Sequence, residues 1–301
     1  MATDAPGPSI RHVSDTARWS AVFRARETER DNALFRDPYA ARLAGERGEQ
    51  IAATLPFHDK HSWSWVARTY SFDFFISEQI ERGADMVINL AAGLDARPYR
   101  MALPGALQWI EVDFPEILAY KEAILSGESP KCRLRRVRMD LADSARRREL
   151  FDELAQQSKK ALVLSEGLLV YLAEEEAAAL AQELAARPAF HAWVVDIVSP
   201  GLLKMLQKNT HQEFGENVSR LKFAPAEGPA YFARYGWKPA DVRSMVKTAA
   251  RLKRLPLFPL RFFALFPENP ARSPSRPWSG VCLLEKDMTL AASGPSTDSR
   301  V

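Results

Sequence analysis

The sequence predicts an α/β fold, a mostly parallel sheet with helices on both faces, and three observations carry that reading. After Gly83, short apolar runs alternate with amphipathic stretches long enough for helices, the pattern of a parallel sheet. Runs such as 161–164 are apolar without interruption, as expected of strands covered on both sides. Residues 86–100 pass from an apolar run through small residues into a helix start. That layout opens a pocket at the carboxyl end of such a sheet.

Taken in order, residues 1–9 are rich in Ala, Pro and Gly and read as a mobile tail. From about 14 to 81 the spacing is helical. Ala17, Ala21, Ala25 and Thr28 recur at three and four residues, and Asp37-Pro38 opens a second helix with Tyr39 and Leu43 on one face. A third helix, 63–80, turns Trp65, Phe72, Phe75, Ile76 and Ile80 towards a core. Strands are expected at 86–90, 107–112, 133–137, 161–165 and 192–198, with helices at 114–125, 144–158 and 174–186. A helical insert follows at about 200–220. Gly236-Trp237-Lys238-Pro239-Ala240-Asp241 reads as a strand end turning into a helix, and 281–284 as a closing strand at the sheet edge. The chain thus divides into an N-terminal helical extension (1–82), a core (83–199), a helical lid insert (200–230), the C-terminal part of the core sheet (231–287) and a disordered tail (288–301).

Composition narrows the class. The 301 residues fit one large domain, or one domain with an elaboration, and 47% hydrophobic residues supply its core. A net charge of +3 is too small to point to nucleic acid, and the arginine clusters at 133–138 and 146–148 read as solvated faces. Cys132 and Cys282 have no Cys or His neighbour at ligand spacing, against both a disulfide scaffold and a metal site. The start lacks a basic segment followed by an apolar run, and no later run approaches the roughly 20 residues that span a bilayer. A cytoplasmic protein without membrane or nucleic-acid partners is expected; its oligomeric state is not written in the sequence.

The first loop separates two kinds of ligand. A dinucleotide fingerprint wants a third glycine where Ala96 stands, and here Arg97 follows at once. Small residues at Ala91, Ala92 and Gly93 let the backbone approach a ligand, and an arginine at a helix start favours a free carboxylate over a pyrophosphate.

Asn89-Leu90-Ala91-Ala92-Gly93-Leu94-Asp95-Ala96-Arg97-Pro98-Tyr99-Arg100 resembles the first motif of the leucine carboxyl methyltransferase-like family. Glu111-Val112-Asp113-Phe114-Pro115-Glu116, Asp140-Leu141 and Glu166-Gly167-Leu168-Leu169-Val170-Tyr171-Leu172 match its later motifs in order. Arg26-Glu27-Thr28-Glu29-Arg30 and Arg68-Thr69 before Phe72-Asp73 resemble the N-terminal extension of its bacterial, polyketide O-methyltransferase-like members. The resemblance implies a Rossmann-like class I methyltransferase that uses S-adenosyl-L-methionine to methylate an oxygen. The family often has glycine at the position of Ala91 and threonine at that of Ala96.

On that footing each part of the cofactor finds a candidate. Arg97 supplies a fork for the methionine carboxylate, and the family match adds Arg68; the plainer alternative for Arg97 is a surface arginine. Asp113 is the acceptor for the two ribose hydroxyls, with Glu111 as fallback on the same strand face; either residue alternatively caps the next helix. Asp140 and Leu141 offer adenine an acceptor and an apolar wall, unless Asp140 only caps a turn. Asp95 either meets the methionine amine or stiffens the loop, and Ala91 and Gly93 give close approach. Glu166 holds the amine, lines the acceptor pocket or accepts a proton; Tyr171 bonds an acceptor oxygen or packs.

None of the five histidines falls in a motif, and only His211 in the insert is placed to reach the pocket, which tilts the expectation towards an acidic acceptor needing no base. The acceptor is expected to be a small molecule, acidic or hydroxylated and partly apolar. A protein C-terminal carboxylate is the less favoured target. Two other functions compete: a nicotinamide-dependent oxidoreductase, for which Asp113 has the right spacing, and a cofactor-binding module without catalysis.

Overall fold

The computed structural model describes residues 13–54, 62–214, 221–255 and 264–287. The two expected tails, 1–9 and 288–301, lie outside them, as do the side chains of His12, His58, His61 and His211.

Seven strands form one sheet in the order β3-β2-β1-β4-β5-β7-β6. Strands β1 (Met86–Leu90), β2 (Gln108–Asp113), β3 (Arg133–Arg138), β4 (Ala161–Ser165) and β5 (Phe190–Val198) run parallel. β7 (Ser279–Lys286) is antiparallel to both β5 and β6 (Trp237–Ser244). The chain moves outward from β1 to β3 and then crosses to β4 on the opposite flank of β1. Where the direction reverses, adjacent crossovers diverge and leave a crevice beyond the strand ends.

Burial follows the predicted pattern. β1 and β4 are buried at every position. Met86, Ile88 and Leu90 join one core layer with Phe151, Leu180 and Trp193, while Val87 joins the other with Phe72, Phe75 and Trp109. Successive residues of a strand face opposite layers, so only an unbroken apolar run can fill both.

Among the described residues three helices precede the sheet: α1 (Val13–Thr28), α2 (Ala40–Thr54, broken at Gly45) and α3 (Ser62–Glu81). The others are the single turn α4 (Arg97–Arg100), then α5 (Pro115–Ile124), α6 (Ser144–Gln157), α7 (Glu174–Ala185), α8 (Pro200–Phe214) and α9 (Met245–Arg251). Their starts carry ordinary signals. Pro115 opens α5, Asp143 accepts from the Arg146 N–H, and Glu176 reaches back to the Ala173 N–H at 2.6 Å. Trp19, Val22, Leu43 and Ile51 of α1 and α2 pack on Ile117 and Leu118 of α5, so the extension shares a core with the sheet domain.

Several expectations change. The strand read at 281–284 as the sheet edge is internal, because β7 lies between β5 and β6. The segment from Gly236 begins a strand instead of ending one: β6 runs to Ser244, and α9 starts only at Met245, capped by Ser244. Pro239 misled because proline is rare in strands, but β6 is the sheet edge and its register shifts between Pro239 and Asp241. The second helix starts at Ala40, two residues after Pro38, because the Asp37 carboxylate accepts the Tyr39 N–H and holds a turn there. Trp65 leaves the central core and stacks on Phe23 of α1, edge-on to Trp19.

Candidate active site

A cavity of about 1770 Å³ opens beyond the carboxyl ends of β1, β2, β4 and β5. Arg68, Ala91, Gly93, Asp95, Arg97, Asp113, Asp140, Leu141, Glu166 and Tyr171 all line it, so the structure gathers the sequence candidates at one place. Trp19 and Trp63 from the extension, Leu202 and Met205 of α8 and Trp278 before β7 complete its walls.

The turn after β1 is tight. Ala91 (φ 54°) and Gly93 (φ 48°) both take left-handed backbone, which costs Ala91 strain that a glycine would not feel. A Cβ on Gly93 would meet the Ala17 Cβ at 3.4 Å. The Gly93 N–H donates to Asp113 Oδ2 at 2.6 Å, and the Phe114 N–H to Oδ1 at 2.7 Å. Burial raises the Asp113 pKa, against the pull of those two N–H groups and Lys121. Each oxygen keeps a lone pair for a further donor.

Glu111 is not available as the fallback. It is fully buried, with one oxygen accepting from Lys121 Nζ at 2.7 Å and the other from Arg136 Nε at 2.9 Å. Although it shares the strand face of Asp113, it lies two residues deeper, under α5. Asp140 is exposed and accepts the Ala142 N–H at 2.8 Å, so it caps its turn while lining the cavity beside Leu141.

Arg97 departs most from expectation. It is 3% exposed, neither a surface arginine nor an open fork. Its Nε donates to Asp73 at 2.6 Å, and Nη1 donates to Asp95 at 2.9 Å and to Glu166 at 2.8 Å. Nη2 reaches the Thr69 carbonyl at 3.5 Å. Four of the five N–H groups of a guanidinium are thereby directed at protein, which leaves at most one for a ligand. Three carboxylates outweigh burial and raise its pKa well above normal.

Asp95 stiffens the loop: it accepts the Arg97 N–H and the Asn89 amide, both at 2.8 Å. Burial raises its pKa, but Arg97, Lys121 and Arg100 together hold it well below the usual carboxylate range. Arg100 pairs with the same Asp73, at 2.6 and 2.8 Å.

Arg68 is the more open cation. Its Nε lies 3.1 Å from Glu166 and its Nη1 3.3 Å from Asp196, while its guanidinium sits 4.5 Å from the Trp65 ring centroid. Its Nη2 has no partner among the described residues, so it can address a ligand carboxylate. Glu166 is shared between Arg68 and Arg97. Burial raises the Tyr171 pKa against its hydrogen bond to Thr16, so the phenol stays protonated near neutrality.

Two participants escaped the sequence reading. Asp73 stood in the resemblance of the N-terminal extension but was given no role, since one acidic residue on a helix of mixed polarity is unremarkable. Asp196 did carry one: it is a lone carboxylate inside the apolar run of β5, which requires a partner when buried. Its Oδ1 accepts the Gly167 N–H at 2.7 Å, and it lines the cavity. His191, the histidine whose side chain is described, bonds Ala161 and Gln79 and does not line the cavity. Among the described residues no cluster could hold a metal ion, and no helix is long and apolar enough to cross a membrane.

Residues 17–185 match the family described as leucine carboxyl methyltransferase. A protein of Parafrankia sp. named "Putative S-adenosyl-L-methionine-dependent methyltransferase" is 30% identical over 265 residues, covering 80% of this chain and 82% of its own length. One of the same description from Frankia alni is 30% identical over 263 residues, covering 80% and 89%. Among solved structures, a DUF574 family protein from Streptomyces avermitilis aligns with a TM-score of 0.56 at 12% identity, over 90% of this chain and 97% of its own. That likeness shows a shared fold.

Proposed function

The chain belongs to the leucine carboxyl methyltransferase family and is an S-adenosylmethionine-dependent methyltransferase; from that premise we propose that it methylates a carboxylate or hydroxyl oxygen of a small molecule by direct displacement. Membership of the family sets aside both the oxidoreductase and the module without catalysis.

The observation that carries the cofactor assignment is Asp113 facing Gly93 across the mouth of the cavity. A carboxylate there, with a lone pair left on each oxygen, suits two vicinal ribose hydroxyls. A glycine opposite leaves room for the ligand to pass. Asp140 and Leu141, which line the same cavity, are assigned to adenine, and Arg68, with one N–H of Arg97, to the methionine carboxylate. Glu166 and Asp95, which line the cavity beside those arginines, are the acceptors we assign to the amine. When bound, the cofactor supplies an electrophilic methyl group on a sulfonium; the protein contributes alignment and exclusion of water. Trp19 and Trp63 from the extension and Leu202 and Met205 from α8 give the acceptor side an apolar lining, which fits an acceptor with an apolar body. Two buried, unpaired cysteines fit a cytoplasmic setting.

The test is calorimetric titration with S-adenosylmethionine. Asp113→Ala removes a charged acceptor and is expected to weaken binding about 10- to 150-fold. Unchanged affinity would remove Asp113 from the site.

A further inference from the structure

Asp196 stands on β5, one strand beyond Glu166 at the end of β4, and lines the same cavity. On the same strand face, two residues on, is Val198; Leu202 and Met205 of α8 follow in the same wall. The charges around it are uneven. Asp73, Asp95, Glu166 and Asp196 form a cluster with Arg68, Arg97 and Arg100, which the Arg100–Asp37 contact extends to the Asp37–Arg24 pair. Five carboxylates against four guanidiniums leave one negative charge, which the singly cationic cofactor would neutralise. An acceptor arriving as a carboxylate would then bring an additional buried charge beside Asp196 with no guanidinium of that cluster left for it. A neutral hydroxyl brings none, but it needs a base.

We propose that the acceptor is a hydroxyl carried on an apolar body and that Asp196 takes its proton, an inference that rests on the oxygen-methylation reading above. Glu166 is less suited, because two guanidiniums share it. Asp196 has one guanidinium on Oδ2 and one backbone N–H on Oδ1. Burial raises its pKa, with Glu166 adding to the effect and Arg68 and the Gly167 N–H opposing it. Tyr171 and Cys282 of β7 also face it electrostatically, and burial pushes both of their pKa values up. Neither group therefore competes as a base near neutrality.

In the step itself the acceptor O–H bond breaks, its proton passing to Asp196 Oδ2 and its electron pair staying on oxygen. As that oxygen bonds to the methyl carbon, the sulfur–carbon bond breaks with its pair kept by sulfur, giving a methyl ether and a neutral thioether. Asp196 then returns its proton to water.

The test offers S-adenosylmethionine labelled in the methyl group to matched phenols and benzoic acids of increasing apolar size. Methyl esters release their label as methanol in mild alkali, and aryl ethers retain it. Alkali-stable product is expected, with activity rising with pH through a single acidic limb. Asp196→Asn should lower kcat by about 10²–10⁴-fold for phenols of ordinary pKa. The loss should shrink to under about tenfold for nitrophenols already ionised at the assay pH, whereas a structural role would depress every acceptor alike. Alkali-labile label, no transfer to any phenol, an equal loss for all phenols or activity falling as that limb is crossed upward would each overturn the proposal. The product chemistry and the pH limb are read on the unmodified protein, so they do not depend on the variant folding. If the unmodified protein fails to bind S-adenosylmethionine in the calorimeter, the parent reading fails instead.

Discussion

Arg97 shows how one side chain can belong to a ligand site and to the fold. It draws α3, the turn after β1 and the end of β4 together through Asp73, Asp95 and Glu166. Removing it would leave three mostly buried carboxylates short of a cation, so Arg97→Ala is expected to cost about 3–5 kcal/mol of folding stability, read by urea denaturation. A loss below about 1 kcal/mol would mean that the network relaxes without it. Affinity measurements on that variant would mix unfolding with binding, which is why Asp113 is the cleaner probe. Ala91 offers the opposite case. Its positive φ is the strained state of a non-glycine residue, so Ala91→Gly should stabilise the protein by a few tenths to about 1 kcal/mol. Much at this scale was legible from residue type and position alone: Arg97, Asp113 and Asp140 were each placed at the cavity. How many of their bonding sites remain free was not legible, because that depends on partners such as Asp73, 24 residues from Arg97 in sequence.

At the scale of elements, the parallel strands were readable because each must be apolar on two faces, a demand visible in any five-residue window. β6 was not, because an edge strand tolerates a proline wherever no ladder bond is lost, here at Pro239, and its alternation is diluted by charge. A second contact invisible in sequence lies at Gly201, at the start of α8. A Cβ there would lie 2.1 Å from the Ser275 carbonyl oxygen, and the Gly201 N–H bonds Pro274. The segment touched is the one that carries Trp278 to the cavity wall. Gly201→Ala must push that backbone aside and is expected to cost about 1–3 kcal/mol in thermal or chemical denaturation. S-adenosylmethionine affinity should stay within about threefold, since no proposed cofactor residue lies on either partner. A matching loss of cofactor affinity would mean that the two halves of the cavity are mechanically one.

Across the whole molecule, the extension and the sheet are joined at a titratable point far from the cavity. His191 of β5 sits between the Ala161 carbonyl at 2.9 Å and Gln79 Oε1 of α3 at 3.0 Å. Burial, together with Lys160 and Lys286, lowers its pKa from 6.5 to about 4, against the Ala161 carbonyl and Asp85. Between those two values the unfolded chain binds a proton that the folded chain refuses, so stability must fall as pH drops from about 6.5 towards 4. The carboxylates of Asp73 and Asp95, held below their usual range, withdraw their stabilisation at lower pH still. Asp113 and Asp196, both raised, act in the opposite sense near their own titration, gaining stability as they bind protons in the folded state. A single melting curve therefore cannot isolate the histidine, but a difference can. Denaturation midpoints of the unmodified protein and His191→Asn, taken from pH 7 to 4.5, should diverge, with the steeper decline in the unmodified protein. The carboxylate contributions are common to both and cancel in the comparison. Parallel declines would show that His191 accepts its proton inside the fold, and the join between α3 and the sheet would then be insensitive to pH.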